Sequence, residues 1–418
     1  MMSNWVQISQ KILAIFFESL QAKTSCLFPS FQFSLVDKLV HSTVVSDWMS
    51  RFSKSPDDFY KICMENPWFF KALHVDEWIF SPNNAKLMEN AASIPIKLRK
   101  RITRLLAQIS SLPAQIAWFF SKMPFIEKNL LYPRYQHYLK EHLSNLPELD
   151  SMDSRIVEEL RQTGICVTSL ESLGLPNTAE FFEAAKKLSQ DLSETSLLPA
   201  YKDRHEIIAT SDQLMKYKEL FHWGLNERFL KIVERYLGLP VAYDGLLFTL
   251  GIADGREIGA RSWHRDREDR RMIKVCVYLN DVDDNGGPFQ CLQPQANSLL
   301  CNSVKYRYKS VFNEELQAFS LFGSEGVVTC TGLTGTVIFV DTAVHYHRGK
   351  PPTESNRFAV FFSYFSRRPW HPFFCQRSPL SREELDCLTQ EMPSYERDCV
   401  NWKDELSWLA KSIPRSRI

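Results

Sequence analysis

From about Ala242 onward the hydrophobic period of this 418-residue chain shortens to two, and that shift limits the possible folds more than any other feature. A period of two sends successive side chains to opposite faces of a sheet. The runs Leu247–Leu250, Lys274–Leu279, Thr336–Val340 and Phe358–Phe365 are short and rich in β-branched and aromatic residues. In Lys274–Leu279 the alternation puts Val275, Val277 and Leu279 on one face. Phe358–Phe365 is apolar on both faces, as a strand covered on both sides must be. Turn signals separate the runs, notably Asp283-Asp284-Asn285-Gly286-Gly287-Pro288. Short strands at this density predict a sandwich or barrel.

Ahead of the strands the period is helical. Ser151–Gln162 carries Ile156, Val157 and Leu160 on one face and stops at Gly164. Ile165–Val167 reads as a short strand. Asn177, with Glu180 three residues on, predicts a capping box before Phe181, Phe182, Ala185, Leu188 and Leu192 at helical spacing. Ser381 and Glu384 repeat that signature before the tail. Earlier still come aromatic bursts, Trp68-Phe69-Phe70 and Trp118-Phe119-Phe120, broken by prolines. The expected division is a helical region over 1–150, an α+β domain over 151–380 and a helical tail over 381–418.

Composition removes several classes of function. With 44% hydrophobic and 24% charged residues the chain resembles an ordinary globular protein. A formal net charge of +1 supplies no field for nucleic acid. No run reaches the roughly 20 apolar residues of a bilayer span. The nearest, Ile102–Phe125, is interrupted by Arg104, Pro113 and Lys122. The start lacks a secretory pattern, and the 10 cysteines contain no Cys-x-x-Cys pair, so reduced thiols and a cytoplasmic location are expected. Lys97, Arg99, Lys100, Arg101 and Arg104 beside apolar residues would suit peripheral contact with an anionic membrane. A basic solvated helix face explains them more simply.

One constellation carries chemistry. In Ser262-Trp263-His264-Arg265-Asp266 the imidazole and carboxylate are two residues apart, so on extended backbone both reach one metal. A distant second histidine would complete a 2-His-1-carboxylate face that holds Fe(II) and leaves adjacent positions open. Such a tripeptide also arises by composition alone, and His74-Val75-Asp76 is an example in helical surroundings where the two side chains diverge. The pair at 264 and 266 differs in its order: an alternating strand, a Gly-Pro turn, then Gly335–Thr342, His345-Tyr346-His347-Arg348-Gly349, and Arg357 ten residues on. The mixed charges of Arg265–Arg271 are expected to be a solvated loop or ion pairs.

The stretches WHRDREDRRMIKVCVYLNDVDDNGGPF and GTVIFVDTAVHYHRGKPPTESNRFAVFFSYF resemble the phytanoyl-CoA dioxygenase-like branch of Fe(II)/2-oxoglutarate oxygenases, over roughly residues 150–380. That resemblance implies a double-stranded β-helix (jelly-roll, cupin-like) core with flanking helices. It also implies His264, Asp266 and His347 as iron ligands, and 2-oxoglutarate and O2 as co-substrates. Arg357 would hold the distal carboxylate of 2-oxoglutarate, a task suited to a permanently charged fork. Its blander reading is a salt bridge to Glu354.

His345 is the rival second histidine, because alternation gives it the side of His347. His347 is preferred because Arg-Gly follows it as in the family. His345 and Trp263 would then stand behind the ligands or touch substrate. Two positions depart from the family: Pro294-Gln295-Ala296-Asn297 replaces a Gly-Ser-His segment, and Ala359 stands where a hydroxyl is common. Tyr278 or Lys274 would supply the missing co-substrate contacts. The resemblance implies hydroxylation of a small lipid-like or natural-product substrate, with release of succinate and CO2. A cupin-type iron enzyme not using 2-oxoglutarate, or a binding module that keeps the fold, is the alternative.

Overall fold

The structure is a computed structural model that describes residues 111–303, 310–318, 326–375 and 377–416. All of these belong to one compact unit, Thr103–Ile418. The His74–Asp76 tripeptide, the Trp68–Phe70 burst and the basic run at 97–104 lie outside the described residues.

Nine strands are described: β1 (Ile165–Ser169), β2 (Glu206–Ile208), β3 (Val241–Gly251), β4 (Ile273–Tyr278), β5 (Phe289–Leu292), β6 (Val327–Cys330), β7 (Thr336–Asp341), β8 (His347–Gly349) and β9 (Arg357–Ser366). They form a six-stranded sheet in the order β1-β7-β4-β9-β3-β2 and a three-stranded sheet in the order β6-β5-β8. Every pairing is antiparallel. The described residues are therefore mixed helix and sheet, with antiparallel sheets.

The two faces of the large sheet have different covers. Val275, Val277, Phe339, Val360 and Phe362 pack with residues of the helices Thr178–Ser196 and Glu227–Leu237 in one core cluster. Cys276, Tyr278, Ile338, Val340 and Ala359, one residue out of phase, pack with Phe289, Cys291 and Cys330 of the small sheet. Both faces of β4, β7 and β9 are thus buried, which is why β9 carries apolar residues on both faces. The odd-numbered side of β9, Arg357 included, turns toward the small sheet.

Helix ends follow local chemistry in two of three cases. Asp150 caps Ser151–Thr163 by accepting from Asp153 N–H, and Gly164 (φ 79°) closes it in the left-handed region that favours glycine. Ser381 and Glu384 form the expected capping box. The Asn177 box does not form. Asn177 is itself left-handed (φ 59°) and makes no side-chain cap, although Thr178–Ser196 begins where expected. Among the described residues no helix is long and apolar enough to cross a membrane.

Candidate metal centre

His264 and His347 face each other across a single antiparallel bridge, with His264 N–H donating to His347 O at 3.0 Å and His347 N–H to His264 O at 2.9 Å. Their ring centroids are 4.4 Å apart. His264 is not on a regular strand, contrary to expectation: Trp263 and His264 make isolated bridges, and the chain leaves extended pairing at Arg265. The Asp266 backbone is held separately, its N–H donating to Thr342 O at 2.9 Å. One coordinating atom from each of His264, Asp266 and His347 lies within 4.8 Å of the others.

The protonation pattern suits ligation. His264 Nδ1 lies 2.8 Å from Ser262 O, and His347 Nδ1 lies 3.1 Å from His345 O. A carbonyl only accepts, so each Nδ1 carries the proton and each Nε2 keeps its lone pair. Burial depresses His264 and holds His347 well below the usual imidazole range, so both are neutral near pH 7. Burial also works against the Asp266 charge. Arg377 and then Lys274 outweigh it and hold the carboxyl well below its usual range.

Asp266 Oδ2 is buried and takes only one close partner, Lys274 Nζ at 2.7 Å, while His347 Nε2 lies 3.9 Å away. A buried carboxylate oxygen with an unspent lone pair, beside two free imidazole nitrogens, fits a divalent cation.

Arg357 projects between the sheets from the start of β9. It donates through Nη1 to Gly287 O at 2.5 Å, while Nε is buried with no partner. Glu354 does not pair with it, nor does any carboxylate among the described residues. A Cβ at Gly349 would come within 2.8 Å of Arg357 Nη2, so the guanidinium lies against that glycine. Gly349 is two residues along β8 from His347, roughly 7 Å of extended chain.

The remaining expected residues are distributed as follows. Lys274 alternates onto the same face of β4 as Cys276 and Tyr278, with its ammonium at Asp266. The Tyr278 hydroxyl donates to Cys330 O at 2.7 Å and accepts from Phe289 N–H at 2.8 Å, so it ties the two sheets together. Trp263 is buried beneath the Arg348 guanidinium, 4.8 Å from its ring centroid. His345 does not share the side of His347. It sits in a turn, places Nδ1 3.2 Å from Leu292 O, and packs its ring where a Cβ on Gly164 would stand.

Ion pairs do form in the Arg265–Arg271 run, but it is no solvated loop: Glu268 and Asp269 are buried, and Arg270 pairs with Glu127 at 2.6 and 3.0 Å. Sequence reasoning missed Asn297 and Arg377. Asn297 accepts from Tyr346 N–H at 2.9 Å and donates to Val344 O at 3.0 Å, bracing the approach to His347. Arg377 donates to Asp266 Oδ1 at 2.5 Å. Only the departure at Pro294–Asn297 hinted at the first, and no sequence signal marked the second.

No family model matches the chain, and no curated protein matches it. Among solved structures it is similar to EctD from S. alaskensis with 2-oxoglutarate and 5-hydroxyectoine (15% identity, 57% of this chain, 89% of that chain, TM-score 0.39). It is similar also to HygX from Streptomyces hygroscopicus with nickel, 2-oxoglutarate and hygromycin B (15% identity, 55% and 90% coverage, TM-score 0.36). A third is the non-heme alpha ketoglutarate dependent epimerase SnoN from nogalamycin biosynthesis (16% identity, 53% and 86% coverage, TM-score 0.32).

Proposed function

We propose that this chain is an Fe(II)- and 2-oxoglutarate-dependent oxygenase of the phytanoyl-CoA dioxygenase type, built on a double-stranded β-helix. It hydroxylates a carbon of a small lipid-like or natural-product substrate and releases succinate and CO2. One observation carries the reading. A His264–Asp266–His347 cluster lies two residues along β8 from Gly349, against which rests the guanidinium of Arg357, paired with no carboxylate among the described residues. A dicarboxylate co-substrate would place one end at the metal and the other on the arginine.

The iron would supply the oxygen-activating redox chemistry. His264, Asp266 and His347 would hold it, and the Nδ1–H bonds to backbone carbonyls keep each imidazole aimed. Arg357 binds the distal carboxylate and so sets the direction of the co-substrate chain. Lys274 adds positive charge beside Asp266, which favours a dianionic co-substrate. Asp266, Lys274, His347 and Arg357 are all buried, which strengthens their electrostatic hold on a bound group.

The test is succinate formation from 2-oxoglutarate under air with Fe(II), together with the iron content of two variants. Wild type is expected to bind one iron per chain and release succinate. His347→Ala should lose iron and activity, whereas His345→Ala should keep its iron. Iron binding without 2-oxoglutarate binding would replace this reading with another cupin-type enzyme. Failure to bind either would leave a binding module.

A further inference from the structure

A carboxylate that serves as a one-oxygen metal ligand must be held against rotation, because the terminal torsion of aspartate is broad and two-fold. The backbone contacts of Asp266 fix its Cα and leave that torsion free. We propose that Arg377 is the positioning residue that fixes it, holding Oδ1 so that Oδ2 faces the two histidines; this rests on the metal-centre reading above. The Arg377 Nη2 group lies 2.5 Å from Oδ1, while Oδ2 lies 3.9 Å from His347 Nε2.

Arg377 is itself clamped. Its Nε donates to Glu268 Oε1 at 2.6 Å, and Nη2 lies 2.5 Å from the same oxygen. Its backbone N–H donates to Asp244 Oδ2 at 2.8 Å, which anchors the residue to β3. Glu268 is fixed in turn by Arg267 N–H at 2.7 Å. Asp266 and Glu268, both buried and two residues apart, thus share one guanidinium. Without it Oδ1 of Asp266 would lose its Arg377 partner, and only the Lys274 ammonium at Oδ2 would oppose rotation of the carboxylate. The shared hold requires a planar fork, since a lysine supplies the charge without fixed directions. The residue arrives from 111 positions downstream, so the C-terminal segment completes the metal centre.

Co(II) is the probe, because its visible absorption reports coordination geometry independently of turnover. Arg377→Ala is expected to stay folded by circular dichroism, to bind Co(II) about tenfold to a hundredfold more weakly, and to show an altered spectrum. Arg377→Lys should recover part of the affinity without the wild-type spectrum. Glu268→Gln, which loosens Arg377 without touching Asp266, should shift the spectrum the same way with a smaller loss, and it carries the test if the position-377 variants do not fold. Wild-type affinity and spectrum in the folded variants would overturn the proposal. Wild type that binds no Co(II) would instead overturn the metal-centre reading.

Discussion

Asn297 holds the backbone of Tyr346, one residue before His347, through a 2.9 Å hydrogen bond from Tyr346 N–H to its side-chain oxygen. Its amide nitrogen donates to Val344 O at 3.0 Å, so one buried side chain spans the turn that delivers the histidine. Asn297→Ala should cost about 1–3 kcal/mol, because it removes two hydrogen bonds to backbone. Iron affinity should fall as well, since the turn sets the direction of His347. Urea unfolding and iron titration measure the two effects. Unchanged values in both would mean that the turn holds itself.

Gly349 is where the proposed 2-oxoglutarate contact of Arg357 can be probed without removing charge. A Cβ there would stand 2.8 Å from Arg357 Nη2, so Gly349→Ala must displace the guanidinium. The expected outcome is a several-fold higher 2-oxoglutarate requirement with iron content unchanged. Arg357→Ala should raise the requirement further, by loss of a charge-assisted pair worth about 2–5 kcal/mol. Titration of 2-oxoglutarate against the anaerobic iron protein reads both. A Gly349→Ala protein with wild-type affinity would place the dicarboxylate elsewhere.

Two buried groups should oppose each other in acid. Burial pushes Asp269 up to about 6, against its hydrogen bonds to Ser366 and to the backbone at Arg270 and Trp370. Unfolded aspartate titrates near 3.9, so the folded state binds the extra proton, and stability from this group is lost as pH rises from about 4 through 6. Burial pushes His371 down to about 4, with its ring between Arg267 O and Ser121 Oγ. Unfolded histidine titrates near 6.5, so this contribution is present above that pH and lost as pH falls toward 4. Asp269→Asn should therefore steepen the loss of stability between pH 6.5 and 4, and His371→Gln should flatten it. Urea midpoints across that window in chelator-treated protein test the signs. Parallel curves for all three proteins would refute both assignments.

The sequence by itself determined what sterics and burial encode over a few residues. Alternation in Lys274–Leu279 and Phe358–Phe365 marked strands because each side chain must choose a face, and Gly164 marked a helix end because few residues accept its φ. The set of His264, Asp266, His347 and Arg357 was suggested by the resemblance to the oxygenase family, and of these only His347 and Arg357 lie on strands. The tertiary structure decided which groups meet. It turned His345 toward Gly164, brought Lys274 to Asp266, and brought Arg377 across 111 positions and Asn297 beneath the turn before His347. Local patterns are set by neighbours in the chain. The partner of a buried charge or amide is set by which distant segments pack together, and no spacing along the chain records that.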